Sequence, residues 1–232
     1  MKSFTIAIAA VSVVSIQAIL GGEVSGKVTL KGTPPPEVKI AMDPMCGKFN
    51  NNQPVTTRHY VTAADGGLAN VWVFVKNAPA GKGPAGDAVL DQLNCLYQPY
   101  VFGVGVGQKM TIRNSDPVLH NVNTSASVVP SHRFNIAQPT KGKEDVKTFE
   151  KPELPLKFMC NVHNWMFAYA GVFDHPFYAV TDKDGKFKLP DLPAGKYTIV
   201  AKHLKAGETT QEISVDGNKT VDFTLSVPAA AK

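Results

Sequence analysis

The stretch Cys160-Asn161-Val162-His163-Asn164-Trp165-Met166 sets a thiol, an imidazole and a thioether at the spacing Cys-x2-His-x2-Met. Three such donors so close together face one ion only where the chain leaves a strand and turns tightly around it. Soft sulfur donors combined with imidazole suit copper, and two His with one Cys and a weak axial Met is the blue-copper arrangement. That set needs a second His, and His120 in Asn114-Ser115-Asp116-Pro117-Val118-Leu119-His120-Asn121 is the best candidate. Zinc is the alternative ion, although its sites rarely use thioether and the other ligands here are too few for a closed Cys/His tetrahedron. The bland alternative is a buried free Cys, a core Met and a surface His.

The rest of the chain reads as all-β. After residue 22 helical periodicity is almost absent, and short apolar runs alternate with Gly, Pro, Asn and Asp. With 232 residues and 44% hydrophobic content, one or two domains with a real core are expected. The net charge of +5 is spread thinly, with Lys141, Lys143 and Lys147 balanced by Glu144 and Asp145. No basic stripe with interleaved aromatics occurs, which argues against nucleic acid as a partner.

Residues 1–22 read as an export signal: Lys2 supplies the positive end and Phe4 to Leu20 is mainly apolar. Cleavage near Ala18 or Gly21–Gly22 is expected. An uncleaved anchor is the alternative, and only then is a membrane involved. Export permits disulfides. Of three cysteines, Cys46 and Cys95 remain if Cys160 holds metal, so a Cys46–Cys95 bridge is the simplest arithmetic.

The segments around His120 and Cys160 resemble the cupredoxin family, with the short ligand loop of its amicyanin-like members. The resemblance covers about residues 87–175. It rests on a strand after Cys95-Leu96-Tyr97, the Gly107-Gln108-Lys109 turn, the strand Met110–Asn114, then Asp116-Pro117 and His120-Asn121. It implies a Greek-key β-sandwich and one type 1 copper ion held by His120, Cys160, His163 and Met166. Asn121 is expected to bond the backbone of the Cys160 loop and tie the two ligand segments together. No charged residue occurs from Phe158 to Gly171, where Trp165, Phe167 and Tyr169 also lie. This suggests His163 near the surface in an apolar collar, with a redox protein docking around Trp165, Phe167 and His163. The alternative turns these rings into the core. His132 reads as a solvated His in the polar, loop-like stretch 124–152, and His175 as a non-ligand at a junction.

A second pattern begins near residue 177. Thr181-Asp182-Lys183-Asp184-Gly185-Lys186-Phe187, followed by Leu192-Pro193-Ala194-Gly195-Lys196-Tyr197, resembles the carboxypeptidase regulatory-like, transthyretin-like β-sandwich. Its Asp184-Gly185 is read as a hairpin turn. The expected division is a signal over 1–22, a cupredoxin domain over 23–175, and a small second β-sandwich over 176–232. A variant of this division packs the strand 23–32, and residues up to 76, with the C-terminal strands and inserts the copper domain between them.

Together these readings describe an exported, mononuclear type 1 copper protein, not an enzyme, that carries single electrons between redox partners in the periplasm or outside the cell. Extra His-x-His clusters or a second loop Cys, which multicopper and dinuclear centres need, are missing. A copper carrier without a redox role, and a surface scaffold or adhesion module, are the competing functions.

Overall fold

A computed structural model describes residues 21–79 and 81–229. The expected export signal lies, but for its last two residues, outside this range. Among the described residues no helix is long and apolar enough to cross a membrane.

Strands make up nearly all the regular structure. β1 (Gly22–Lys31) is followed by a short helix, α1 (Pro44–Phe49), and then by β2 (Trp72–Val75). A continuous run follows: β3 (Ala88–Leu93), β4 (Leu96–Gln98), β5 (Val101–Gly105), β6 (Met110–Asn114), β7 (His120–Asn123), β8 (Asn135–Gln138), β9 (Glu144–Lys147), β10 (Glu153–Met159) and β11 (Phe167–Phe173). The C-terminal strands are β12 (Tyr178–Val180), β13 (Lys186–Leu192), β14 (Gly195–His203), β15 (Gly207–Val215), β16 (Lys219–Thr220) and β17 (Phe223–Ser226).

The run from β3 to β11 builds one sandwich. Its sheets have the orders β5-β11-β10-β7-β8 and β4-β3-β6-β9. Leu90, Tyr97, Val104, Ile112, Val122, Phe149, Leu156 and Phe158 fill the space between them. Alternating burial along Met110-Thr111-Ile112-Arg113-Asn114 shows the period-2 pattern of a half-buried strand. β8 and β9 lie in the stretch expected to be loop. Their outward-facing polar residues leave little apolar alternation to read, and pairing to β7 and β6 decides their conformation.

The first strands do not join this sandwich, although 23–175 is the range expected for it. β1 pairs with β13, β16 and β17, while β2 lies between β12 and β14. Val28 shares a core with Leu68, Val73, Phe187, Leu189, Ile199, Ala201 and Phe223. The second sandwich is therefore built from both ends of the chain, with 88–173 inserted between them. The insertion leaves and returns at one place: the Val75 N–H donates to the Phe177 carbonyl at 3.1 Å.

The turn at Asp184-Gly185 serves this arrangement. Gly185 has φ +77°, and a Cβ there would meet Val28 O at 2.5 Å. The Val28 N–H donates to the Gly185 carbonyl at 2.8 Å. The flanking strands β12 and β13 belong to different sheets, so this is a corner between sheets rather than the expected hairpin. β14 and β15 form the long hairpin instead, in register from Gly195↔Val215 to His203↔Gly207.

The two sandwiches meet through aromatic packing. Trp72, Val101, Phe173 and Tyr178 are buried together, with Phe173 and Tyr178 stacked at 4.3 Å between centroids. The Trp72 indole N–H donates to the Phe102 carbonyl at 2.7 Å. Tyr178 lies across Gly103, where a Cβ would collide with its ring.

His132 is not solvated, contrary to its sequence reading. It is buried on a 3-10 turn, with Nδ1 2.8 Å from Glu153 Oε2. Its partner lies 21 residues away on β10, so no local signal announces the pair.

Candidate metal centre

The centre forms where β7 begins and where β10 runs into the loop before β11. His120 opens β7 and Cys160 directly follows β10, so two paired elements bring them together. The loop 160–166 is closed by its own backbone. The Met166 N–H donates to the His163 carbonyl at 2.9 Å, and the Cys160 N–H to the Met166 carbonyl at 3.2 Å. This tight reversal puts donors spaced Cys-x2-His-x2-Met at one end of the sandwich.

His120, Cys160 and His163 each offer a donor atom within 4.8 Å of the others, and all three are buried. His120 Nδ1 faces His163 Nδ1 at 2.9 Å, and Cys160 Sγ stands 3.8 Å from His163 Nδ1. Met166 is fully buried in the core cluster that also holds Cys160. Asn121 Oδ1 accepts the Asn161 N–H at 2.6 Å and the Cys160 thiol at 3.5 Å. One side chain thus ties the His120 segment to the Cys160 loop.

Asp116, named from the sequence only within the Asp116-Pro117 step ahead of His120, is a member of this site. Its Oδ2 accepts from His120 Nε2 at 3.0 Å and from the Cys95 N–H at 2.7 Å. Oδ1 accepts the Asn94 N–H at 2.7 Å. With Nε2 occupied as a donor, the lone pair of His120 Nδ1 points at Cys160 and His163. The available signal was an Asp four residues before the candidate His, which packing turned into a contact.

Burial by itself raises the Cys160 thiol, but hydrogen bonding to His120 and to N–H groups including that of His163 outweighs it and lowers its pKa. Burial likewise lowers His120, yet its bond to Asp116 and the neighbouring Cys160 raise it overall. His163 is lowered by burial and then by the charge of His120. Burial raises Asp116, and its bonds to His120, Cys95 and Asn94 reverse that shift.

Two imidazoles and a cysteine sulfur, with a thioether on the same loop, make a softer set than zinc ordinarily takes, and it fits copper. The carboxylate closest to the centre, Asp116, is already occupied by three donors, which leaves the nitrogen and sulfur atoms as the available ligands.

His163 is not an open surface ligand. It retains 8% of its exposure because the segment around α1 crosses it. Asp43 caps α1 by accepting the Met45 and Cys46 N–H groups, and its Oδ2 stands 3.6 Å from His163 Nε2. The Asp43-Pro44 pair is a helix start. Cys46 on α1 is bonded to Cys95, which fastens this strap over the centre. Trp165 is half-buried, its indole N–H donating to the Cys95 carbonyl at 3.1 Å and its ring 5.2 Å from that of His163. Trp165 and Phe167 border a groove with Ile40, Arg58 and Tyr100. His175 is buried and accepts the Phe177 N–H at 3.1 Å. It belongs to none of the ligand clusters among the described residues.

No curated protein matches the chain. Among solved structures, it resembles a copper-containing nitrite reductase from Thermus scotoductus SA-01 at 17% identity and TM-score 0.33, over 43% of this chain and 25% of that one. A Cu(I) form of an amicyanin point mutant aligns at 20% identity and TM-score 0.33, over 43% of this chain and 97% of that one. A purple cupredoxin from Nitrosopumilus maritimus aligns at 23% identity and TM-score 0.32, over 37% of this chain and 99% of that one. The chain therefore spans a quarter of the nitrite reductase. Likenesses this weak carry no weight for function. Residues 172–226 match the family model of the carboxypeptidase regulatory-like domain, which covers the C-terminal strands β12 to β17.

Proposed function

We propose that the chain is an exported copper protein that holds one type 1 copper ion and carries single electrons between redox partners. The convergence of His120, Cys160 and His163 in one buried cluster carries this reading. Met166, on the same loop, would supply a thioether sulfur. Bound in such a set, copper provides a one-electron couple. The protein's own part is to hold the donors still. Asp116 fixes the His120 ring, Asn121 ties the two ligand segments, and the 160–166 loop closes on itself. A frame that does not rearrange suits electron gain and loss. The reading is of a binding protein and not of an enzyme, since the cluster is enclosed and all its donors face one another. The Cys46–Cys95 bond fits an oxidising, periplasmic or extracellular setting. A redox protein would dock at the Trp165 and Phe167 rim, next to His163.

The covering of His163 favours a second reading. With the strap over the ligand nearest the surface, a copper carrier or buffer that encloses its ion is served by the same donors.

One experiment separates these. Cu(II) is added to the purified mature protein and the visible absorption recorded. An intense thiolate-to-copper band, lost in Cys160→Ala and weakened in His120→Ala, supports the electron carrier. Tight Cu(I) retention without that band supports the copper carrier. Absence of both the band and retained copper overturns the two readings together.

A further inference from the structure

The Cys46–Cys95 disulfide lies against the metal centre. Its two sulfurs and an imidazole nitrogen of His163 all lie within 4.8 Å of one another. Cys95 Sγ stands within the same distance of donor atoms on Asp116 and His120.

The turn carrying Cys95 is also built against backbone preference. Asn94 and Cys95 have φ of 59° and 54°, the left-handed region that a two-residue hairpin loop requires. Gly takes that conformation without strain, and Cys does not. The Asp116 carboxylate accepts both N–H groups of this turn at 2.7 Å and holds the cysteine in place. The carboxylate that orients His120 therefore also aims Cys95. Backbone strain of this kind persists where surrounding structure enforces it, and it clusters at functional sites.

We propose that Cys46, Cys95 and His163 form a second metal position, closed in the disulfide state and opened by a dithiol reductant, which takes Cu(I). Opening is a thiol–disulfide exchange. The dithiol donor gives two electrons and two protons and closes to its own disulfide, while Cys46 and Cys95 become two thiols. Ligation then releases the thiol protons to solvent. Thiolates are strong donors for soft Cu(I). A disulfide has no thiolate to offer, so ligating power follows the redox state. Both sulfurs are buried, and the thiol count below reads the reductant's access to them. The position shares His163 with the centre described above but goes beyond the electron-carrier reading, and its test is separate.

The test uses the purified mature protein, oxidised or treated with a phosphine or dithiol reductant that is then removed without oxygen. Free thiols are counted, and each form is titrated with Cu(I) held by a chromophoric chelator. Reduction is expected to raise the thiol count from one to three. It is also expected to add about one equivalent of bound Cu(I) in the wild type and in Cys160→Ser. The Cys46→Ser/Cys95→Ser protein should gain nothing on the same treatment. Equal Cu(I) uptake by oxidised and reduced Cys160→Ser overturns the proposal. So does a thiol count that stays at one, because a bond closed to the reductant cannot gate a site. Failure of the primary centre reads differently, as an oxidised wild type that takes up no copper.

Discussion

Asp116 Oδ2 stands 3.0 Å from His120 Nε2, and both side chains are almost completely removed from water. The carboxylate holds Nε2 and thereby sets which ring nitrogen is free. Replacing Asp116 by Asn keeps the shape and removes the charge. Copper affinity is expected to fall by about 10- to 100-fold, the usual effect of losing such a partner. A competition titration against a chelator measures this. Unchanged affinity would mean that packing alone orients His120.

Asn121 joins two segments that are 40 residues apart. Asn121→Ala leaves the Asn161 N–H and Asn135 Oδ1 without their partner. A loss of about 0.5–1.5 kcal/mol is expected, the usual worth of a lost hydrogen bond, because both partner residues are exposed and water can replace Asn121. Denaturant unfolding of the metal-free protein reads it directly, and an unchanged midpoint would show that the loop closes without this tie.

Trp72 belongs to the split sandwich, and its indole N–H reaches the inserted one at Phe102. Trp72→Phe keeps an aromatic ring and removes the donor. The fold is expected to lose about 1–3 kcal/mol, from the lost hydrogen bond and the space left by the smaller ring. The midpoint of chemical denaturation is the readout, and a shift near zero would show that the junction rests on Phe173 and Tyr178 alone.

His203 gives the fold a pH dependence away from the metal centre. Its Nδ1 accepts the N–H groups of Lys205 and Ala206, so the folded state needs the neutral ring. Burial, with His59 and Lys205 nearby, lowers its pKa to about 4. The unfolded chain takes up the proton near the ordinary pKa of about 6.5. This contribution is therefore fully present above that value and is lost as pH falls towards about 4. It amounts to about 3 kcal/mol. Stability measured across this window in wild type and His203→Gln should show a shallower slope in the variant. Parallel slopes would assign the acid loss to the carboxylates instead.

The first of these relationships shows where local reading stops. That His120, Cys160 and His163 come together was legible because donor chemistry and spacing are written in short stretches. The all-β class was legible because period-2 alternation is local too. The pattern near residue 181 stood out from its turn residues, although Asp184-Gly185 looked like a hairpin and proved to be a corner. A turn signal gives backbone conformation and does not say which strand the chain meets next. β8, β9 and the His132–Glu153 pair were hidden because their polar residues find partners far along the chain.

The sequence by itself determined the chemistry of the centre, since no fold can add a thiolate or an imidazole that the chain lacks. It also determined the strand-forming character of both sandwiches through side-chain alternation. Tertiary structure alone decided that β1 and β2 close the second sandwich around the insertion, because strand pairing is a competition among distant edges. It decided as well that Asp116 aims His120 and that the α1 strap covers His163. Those contacts depend on how loops lie across a finished sandwich, where long-range packing and not local preference sets the geometry.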